Sequence, residues 1–179
     1  MKFAIQDKLS SADIKLMRQK LKLKQKDLAA LLNVSVKTIE RWEQSNTEIS
    51  GPVVTLLKLL NEEPEWVKAL EIPEKEYPLR LFYYYKESLC TIIDVNEPMQ
   101  KIKIKNFSKN PIFCAFGVIT SPSFKDYEEF LESRCFPRTR DKMKLILRDL
   151  DLPFYDSFLI IQKTHGKMAE DDFWIKMEF

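Results

Sequence analysis

The chain has 179 residues, of which 45% are hydrophobic and 31% are charged, a composition that excludes a disordered protein and favours one ordinary domain or two small ones. The formal net charge is only +2, but the first 44 residues carry ten basic and five acidic side chains, whereas residues 73–179 carry seventeen of each. No apolar run approaches the roughly 20 residues that cross a bilayer, and the first residues lack the apolar segment of a secretory leader. We therefore expect a cytoplasmic protein with no membrane partner, whose positive charge is gathered near its N-terminus.

The cysteines and the histidine give no sign of a metal site. Cys90, Cys114 and Cys135 are widely spaced without a CxxC pair, and His165 is the single histidine. Because a structural zinc site needs about four such ligands, the sequence predicts no metal, no cofactor and reduced cysteines. Cys135 stands beside arginines, which can lower the pKa of a thiol, although a structural role is the expectation for it.

Capping residues and apolar spacing predict five helices before residue 72. Ser10 and Ser35 are suited to begin the first and the third, because a serine hydroxyl accepts a hydrogen bond from a free N–H at a helix start. Asn33 is suited to end the second, since Asn tolerates the left-handed conformation. The predicted helices cover residues 10–23, 25–32, 35–42, 53–61 and 64–70.

The segment LKLKQKDLAALLNVSVKTIERWEQ, residues 21–44, combines specific residue types at fixed spacings. It ends in a Trp-Glu pair and is followed by a Ser-Gly-Pro turn at residues 50–52. In these features it resembles the helix-turn-helix of the phage-repressor and antitoxin family, also called XRE-like, over about residues 10–71. The resemblance implies a small all-α domain that binds double-stranded DNA. It also implies a homodimer on a two-fold operator, with half-sites about 34 Å apart or a multiple of this.

The third predicted helix is expected to enter the major groove, which is about 12 Å wide. Its outward positions are Lys37, Thr38 and Arg41, of which Arg41 suits bidentate bonds to guanine and Thr38 suits a thymine methyl group or a phosphate. The resemblance assigns Gln25 to the DNA backbone or an edge base, and its flanking lysines suit phosphate contacts, with a merely solvated face as the alternative. The predicted DNA-binding residues are Lys24, Gln25, Lys26, Ser35, Lys37, Thr38 and Arg41.

Other residues of the motif carry predictions about packing and turns. Glu40 and Glu43 would repel phosphate, so we expect them to point sideways and to bond to arginine or lysine. Trp42 is expected to pack against the domain and not to contact bases. The family usually has glycine where Lys22 and Ser45 stand, so slightly different turns are predicted at both positions.

After a predicted linker at residues 73–78, the pattern changes from helices alone to strands and helices together. The sequence thus predicts an all-α domain over residues 1–72 and an α+β domain over residues 79–179. In KIKIK the residues alternate strictly, which puts Ile102 and Ile104 on one face of a strand. The predicted strands cover residues 89–94, 101–105, 112–119 and 172–179, and the predicted helices cover residues 126–132 and 140–150.

The C-terminal half contains a basic cluster, which resembles part of a domain of small regulators on bacterial mobile elements. Arg134, Arg138 and Arg140 are candidates for binding a protein partner. The default alternative is internal pairing with nearby acidic residues such as the run at 170–172, and contact with DNA phosphates also stays open.

The sequence offers no catalytic constellation. Asp171 and Asp172 are adjacent, so on a strand they would point to opposite faces, and no HxH, HExxH or Gly-rich phosphate loop is present. We therefore predict that the protein is not an enzyme.

Two functions are consistent with these patterns. The first is a sequence-specific transcriptional regulator, a repressor that acts on its own operon. The alternative is an antitoxin or an anti-CRISPR-like inhibitor whose C-terminal domain binds a protein partner while the N-terminal domain autoregulates expression.

Overall fold

The computed structural model describes residues 7–46 and 48–179. The chain divides into two compact units, Met1–Ile72 and Pro73–Phe179, which are described in turn. No helix within the described residues is long and apolar enough to cross a membrane.

Within its described residues, the N-terminal unit consists of five short helices and a small antiparallel ribbon. The ribbon pairs β1 (Lys8–Leu9) with β2 (Ile49–Ser50) and was not predicted. The helices are α1 (Ser11–Lys20), α2 (Gln25–Leu31), α3 (Val36–Gln44), α4 (Pro52–Glu62) and α5 (Glu65–Leu70). The helical prediction is confirmed, with ends that differ from the predicted ones by at most three residues.

The turns between these helices explain why the family glycines can be replaced. Asn33 has a φ of 54°, the left-handed conformation predicted for it. Lys22 has a φ of 58°, the left-handed conformation that glycine adopts most readily, while the predicted difference from the family's turn stays a prediction. Ser45 is extended, with a φ of −73°, so the turn after α3 needs no glycine.

One apolar core fixes the orientation of the helices in this unit. Ala29 is buried on α2, where a larger side chain would overpack the contact with the neighbouring helices. Ile39 is fully buried and anchors α3 to the core from one side. The buried members of this core are Leu9, Ile14, Leu28, Ala29, Ile39, Val54 and Leu57.

The C-terminal unit is an α+β fold around a four-stranded antiparallel sheet, which confirms the predicted fold class. The strands are β3 (Leu79–Tyr85), β4 (Ser88–Asn96), β5 (Lys101–Asn106) and β6 (Phe173–Glu178), in the spatial order β5-β4-β3-β6. The helices are α6 (Phe124–Ser133), α7 (Met143–Asp149) and α8 (Ser157–Thr164). The central strand β3 and the helix α8 were not predicted.

The core of the C-terminal unit lies between the helices and one face of the sheet. Tyr83 on β3 stacks on Phe173 with ring centroids 5.0 Å apart and meets Phe130 of α6 edge-on at 5.2 Å. Gly166 lies so close to Ile175 that an added Cβ would stand 3.2 Å from the Ile175 Cδ1 atom. The predicted alternation of β5 and β6 is confirmed, since their apolar residues pack on this core.

The prediction of a strand over residues 112–119 is wrong. Its start forms a single 3-10 turn, Pro111–Phe113, which Asn110 begins by accepting a hydrogen bond from the backbone N–H of Ile112 at 3.1 Å. Ile112 and Val118 are 76% and 80% exposed. Phe116 between them is buried in the core, so this apolar run is an irregular segment whose side chains are buried only in part. The Asn-Pro start is the local feature that decides against a strand.

A buried ion pair ties residues 73–76 to the face of the sheet opposite the core. Arg80 on β3 bonds to Asp94 on β4 through Nε–Oδ1 and Nη2–Oδ2 contacts of 2.6 and 2.7 Å. The same guanidinium donates to the carbonyl oxygens of Pro73 and Glu74, and the Glu76 N–H donates to Asp94. The predicted linker thus contains residues that the C-terminal unit holds in place.

Candidate nucleic-acid interface

Helix α3 has an inner face and an outer face. Ile39 is fully buried and Trp42 is half-buried against the N-terminal core, so the prediction that Trp42 packs is confirmed. On the outer face Lys37 and Arg41 are exposed, and Thr38 between them is half-buried. Because residues four apart lie on the same side of a helix, these three side chains form one surface.

The N-terminus of α3 is held by a side-chain cap. The Ser35 hydroxyl accepts a hydrogen bond from the Thr38 backbone N–H at 3.1 Å, and the two hydroxyl oxygens lie 2.8 Å apart. Ser35 therefore begins the helix as predicted, while its place among the DNA-binding residues stays a prediction.

An ion pair joins the end of α3 to α1. Arg18 donates to both carboxylate oxygens of Glu43, with Nε–Oε1 and Nη2–Oε2 distances of 2.6 and 3.0 Å. Gln25 donates to the same carboxylate from Nε2 at 2.9 Å, and Arg18 also donates to the carbonyl oxygen of Leu23. The Arg18 guanidinium holds the pKa of the Glu43 carboxyl below its usual value. Glu43 is thus bonded sideways to an arginine, as expected.

The basic residues of the motif surround this network and remain exposed. Lys24 and Lys26 lie at the start of α2, and neither they nor Lys37 and Arg41 form an ion pair within the described part of the chain. Beside them, α1, α2 and α3 border an open depression of about 450 Å³. Since Arg18 compensates the charge of Glu43, the exposed charge of this surface is mainly positive.

The C-terminal arginines differ from one another in their surroundings. Arg134 is 7% exposed and bonds to Asp171 at 2.7 and 2.9 Å and to the carbonyl oxygens of Gly166 and Phe173. Its guanidinium lowers the pKa of Asp171. Internal pairing, the alternative left open by the sequence, therefore describes Arg134, which holds the fold together and offers no surface to a partner. Arg140 is exposed.

Arg138 is exposed but engaged within its own unit. Its Nε atom donates to Glu132 Oε1 at 2.7 Å, and its guanidinium carbon lies 4.3 Å from the centre of the Tyr155 ring. Of the three arginines named as candidates for binding a partner, Arg138 and Arg140 are exposed. Their role in partner binding stays a prediction.

The cysteines have the properties of structural thiols. Cys90 and Cys135 are buried and Cys114 is partly exposed, and all three are reduced. Burial raises the pKa of the Cys135 thiol to about 11, although arginines flank it in sequence. The possibility of a lowered pKa at Cys135 is therefore wrong, because desolvation disfavours the thiolate.

Sequence reasoning missed Arg18 as a member of the candidate interface. Arg18 and Glu43 are separated by 25 residues, and no local spacing joins them. The only available indication was the expectation that Glu43 needs a basic partner, which does not say which one.

Comparisons with known proteins concern the N-terminal unit. Residues 2–71 match the model of a family described as the antitoxin component of a bacterial toxin-antitoxin system, MqsA. The chain is also 37% identical over 57 residues to antitoxin HigA-2 of Vibrio cholerae serotype O1, which is 32% of this chain and 55% of the relative. The chain thus spans just over half the length of this curated relative. Together with the geometry of α2 and α3, these matches establish that the N-terminal unit carries a helix-turn-helix segment of the antitoxin and repressor type.

Proposed function

We propose that the protein is a sequence-specific DNA-binding transcriptional regulator, a repressor of its own operon, which binds as a homodimer through α3. The observation that carries the proposal is the outer face of α3, where Lys37, Thr38 and Arg41 are presented together while Ile39 fixes the opposite face in the core. The protein acts in the cytoplasm by binding and not by catalysis.

In this proposal the positions of the side chains determine their roles. Arg41 reads guanine by paired hydrogen bonds, an interaction worth about 1–3 kcal/mol of discrimination, and Thr38 contacts a neighbouring base or phosphate. Lys24 and Lys26 neutralise phosphates and set the position of the domain on the duplex. Gln25 already donates one amide hydrogen to Glu43, so its second N–H is left for a phosphate oxygen or a base edge, and its carbonyl oxygen is left for a DNA donor or a bridging water.

The test is a binding titration of the full chain on the DNA upstream of its own gene, followed by fluorescence anisotropy at several salt concentrations. Arg41→Ala is expected to cost about 1–3 kcal/mol and to relax specificity at one base position, because a base contact is lost. Lys24→Ala is expected to weaken binding to all sequences alike and to reduce the salt slope by about one. Lys68→Ala, on α5, is the matched control.

The outcome separates the proposal from its rivals. Two chains per operator with the two distinct losses support it. Equal binding by wild type, Arg41→Ala and Lys24→Ala would show that α3 does not face DNA.

The antitoxin comparisons favour a second candidate function. The matched family and the matched relative are both described as antitoxins, so an antitoxin whose C-terminal unit binds a protein partner is the alternative. It predicts a stable complex between the full chain and the product of a neighbouring gene, detected by copurification from the native host. If no complex forms when both proteins are co-expressed, this candidate is rejected. The result of the DNA titration does not depend on that outcome. The anti-CRISPR form of the alternative stays a prediction.

A further inference from the structure

The C-terminal unit has an acidic groove of about 620 Å³. It runs between the exposed side of α6, the turn after β4 and the start of α8, and aromatic side chains form part of its walls. Its acidic residues are Glu97, Glu128, Glu129, Glu132 and Asp156.

Negative charge is in excess in this groove. Glu129 is paired with Lys125 at 3.5 Å, and Glu132 is paired with Arg138 at 2.7 Å. The other three carboxylates form no ion pair within the described residues, although Asp156 accepts a hydrogen bond from the backbone N–H of Leu159. A ligand of positive charge would therefore be attracted to this surface.

One residue that lines the groove has a buried hydroxyl without a partner. Tyr127 is only 1% exposed, and its oxygen has no hydrogen-bond partner among the described residues. Burial raises the pKa of this phenol, and the negative charges of Glu97, Asp156 and Glu128 raise it further. Buried polar atoms are normally satisfied, and a cationic N–H donor would satisfy this one.

The arrangement fits a large organic cation better than a metal ion. No three acidic, histidine or cysteine side chains of the described chain are close enough together to hold a metal. A metal ion needs several oxygen ligands within about 2.6 Å, whereas a planar guanidinium spreads its charge over five N–H donors and stacks on aromatic rings.

The chain itself shows which group the groove accepts. At one end the Arg138 guanidinium lies 4.3 Å from the ring centre of Tyr155 and donates to Glu132. The rest of the groove offers the same two kinds of group, since the half-buried rings of Phe124 and Phe158 and the carboxylates of Glu97 and Glu128 also line it. We infer that the acidic groove is a binding site for a second guanidinium group, from an arginine of a protein partner or from a small guanidino compound. The inference goes beyond DNA binding and does not rest on it.

The test titrates the full chain with four probes and follows the backbone amide signals of α6 by NMR. The probes are L-argininamide, its uncharged isostere L-citrullinamide, acetyl-Gly-Gly-Arg-Gly-Gly-amide and the citrulline form of that peptide. The arginine compounds are expected to bind and the citrulline compounds are not. Binding of argininamide as tight as the peptide identifies a small guanidino ligand, whereas binding of the peptide alone identifies an arginine of a partner.

Variants then locate the binding. Glu128→Gln is expected to weaken binding by about tenfold, because a charge-assisted hydrogen bond is lost. Glu87→Gln, an exposed change in the β3–β4 turn, should leave binding unchanged. Tyr127→Phe is expected to weaken binding without lowering the melting temperature. Loss of a hydroxyl with only a structural role would instead change the melting temperature and not the binding.

Four results would overturn the inference. They are no binding of either arginine compound to the wild type, equal binding of the citrulline compounds, equal effects of Glu128→Gln and Glu87→Gln, and unchanged affinity in Tyr127→Phe. The last of these would remove the hydroxyl from the site and with it the argument for a ligand.

Discussion

Replacing Glu43 by glutamine tests whether the Arg18–Glu43 pair holds α3 in place. The two side chains are 13% and 5% exposed, and Arg18 bonds to both carboxylate oxygens. Removing one partner of a buried ion pair costs about 3–5 kcal/mol, because the remaining charge loses its compensation. Arg18 keeps its bond to the Leu23 carbonyl oxygen and some contact with water, and the new amide can still accept one bond. We therefore expect Glu43→Gln to lower the free energy of unfolding of the N-terminal unit by about 2–3 kcal/mol at pH 7.

The loss should depend on pH in a defined direction. Arg18 lowers the pKa of Glu43 below its ordinary value of 4.5, so the folded state prefers the ionised carboxylate. The pair's contribution is fully present above the pKa of the unfolded chain and is lost as the pH falls through the lower pKa of the folded state. The stability difference between wild type and Glu43→Gln should therefore shrink below about pH 4.5.

The measurement is urea unfolding of the full chain, followed through the backbone amide NMR signals of α3 for the N-terminal unit and of α6 for the C-terminal unit, so that each unit is observed separately. Glu129→Gln removes the same charge from the exposed pair with Lys125, and it should change the stability of the C-terminal unit by less than about 1 kcal/mol. A loss at Glu43 below about 1 kcal/mol, or one as large at pH 3 as at pH 7, would refute the reasoning.

Two further predictions concern the C-terminal unit. Arg134→Met should lower its free energy of unfolding by about 3–5 kcal/mol in urea titrations, because it breaks a buried ion pair and leaves two carbonyl oxygens without their donor, whereas Arg138→Ala, at an exposed side chain, should have a much smaller effect. In the native protein at pH 8, iodoacetamide should modify Cys114 well before Cys90 and Cys135, because Cys114 is partly exposed and the other two are buried. Desolvation raises the pKa of all three thiols, so the difference in exposure sets the order. Mass spectrometry of timed samples measures the order, and prior labelling of Cys135 would contradict its burial.

The N-terminal helices could be predicted because the features that determine them are local. Ser10 and Ser35 cap helices within three residues of themselves, and Asn33 ends a helix by its own backbone preference. The outward placement of Lys37 and Arg41 follows from helical spacing once Ile39 is assigned to the core.

The parts that could not be predicted depend on contacts between distant residues. The basic cluster gave no means of choosing between a surface role and internal pairing, because Asp171 lies 37 residues after Arg134. Likewise, the acidic groove joins residues from a turn, a helix and a second helix start, and no window of sequence contains them together. The apolar run that begins at Ile112 shows the converse, since Ile112 and Val118 are exposed while Phe116 is buried, and hydrophobicity alone does not establish which side chains are buried.

The pairing of β6 with β3 has a consequence for how the chain is made. The N-terminal unit is built from helices that are neighbours in the sequence. In the C-terminal unit, β3 at residues 79–85 pairs with a strand that begins only at Phe173. The Trp174 indole likewise donates to a carbonyl oxygen 88 residues earlier. Such long-range closure slows folding, and a ribosome synthesises the chain from its N-terminus. During translation the helix-turn-helix is complete while the apolar stretch LRLFYYY still lacks one of its two neighbouring strands, so the nascent C-terminal half is the part most exposed to chaperones and proteases.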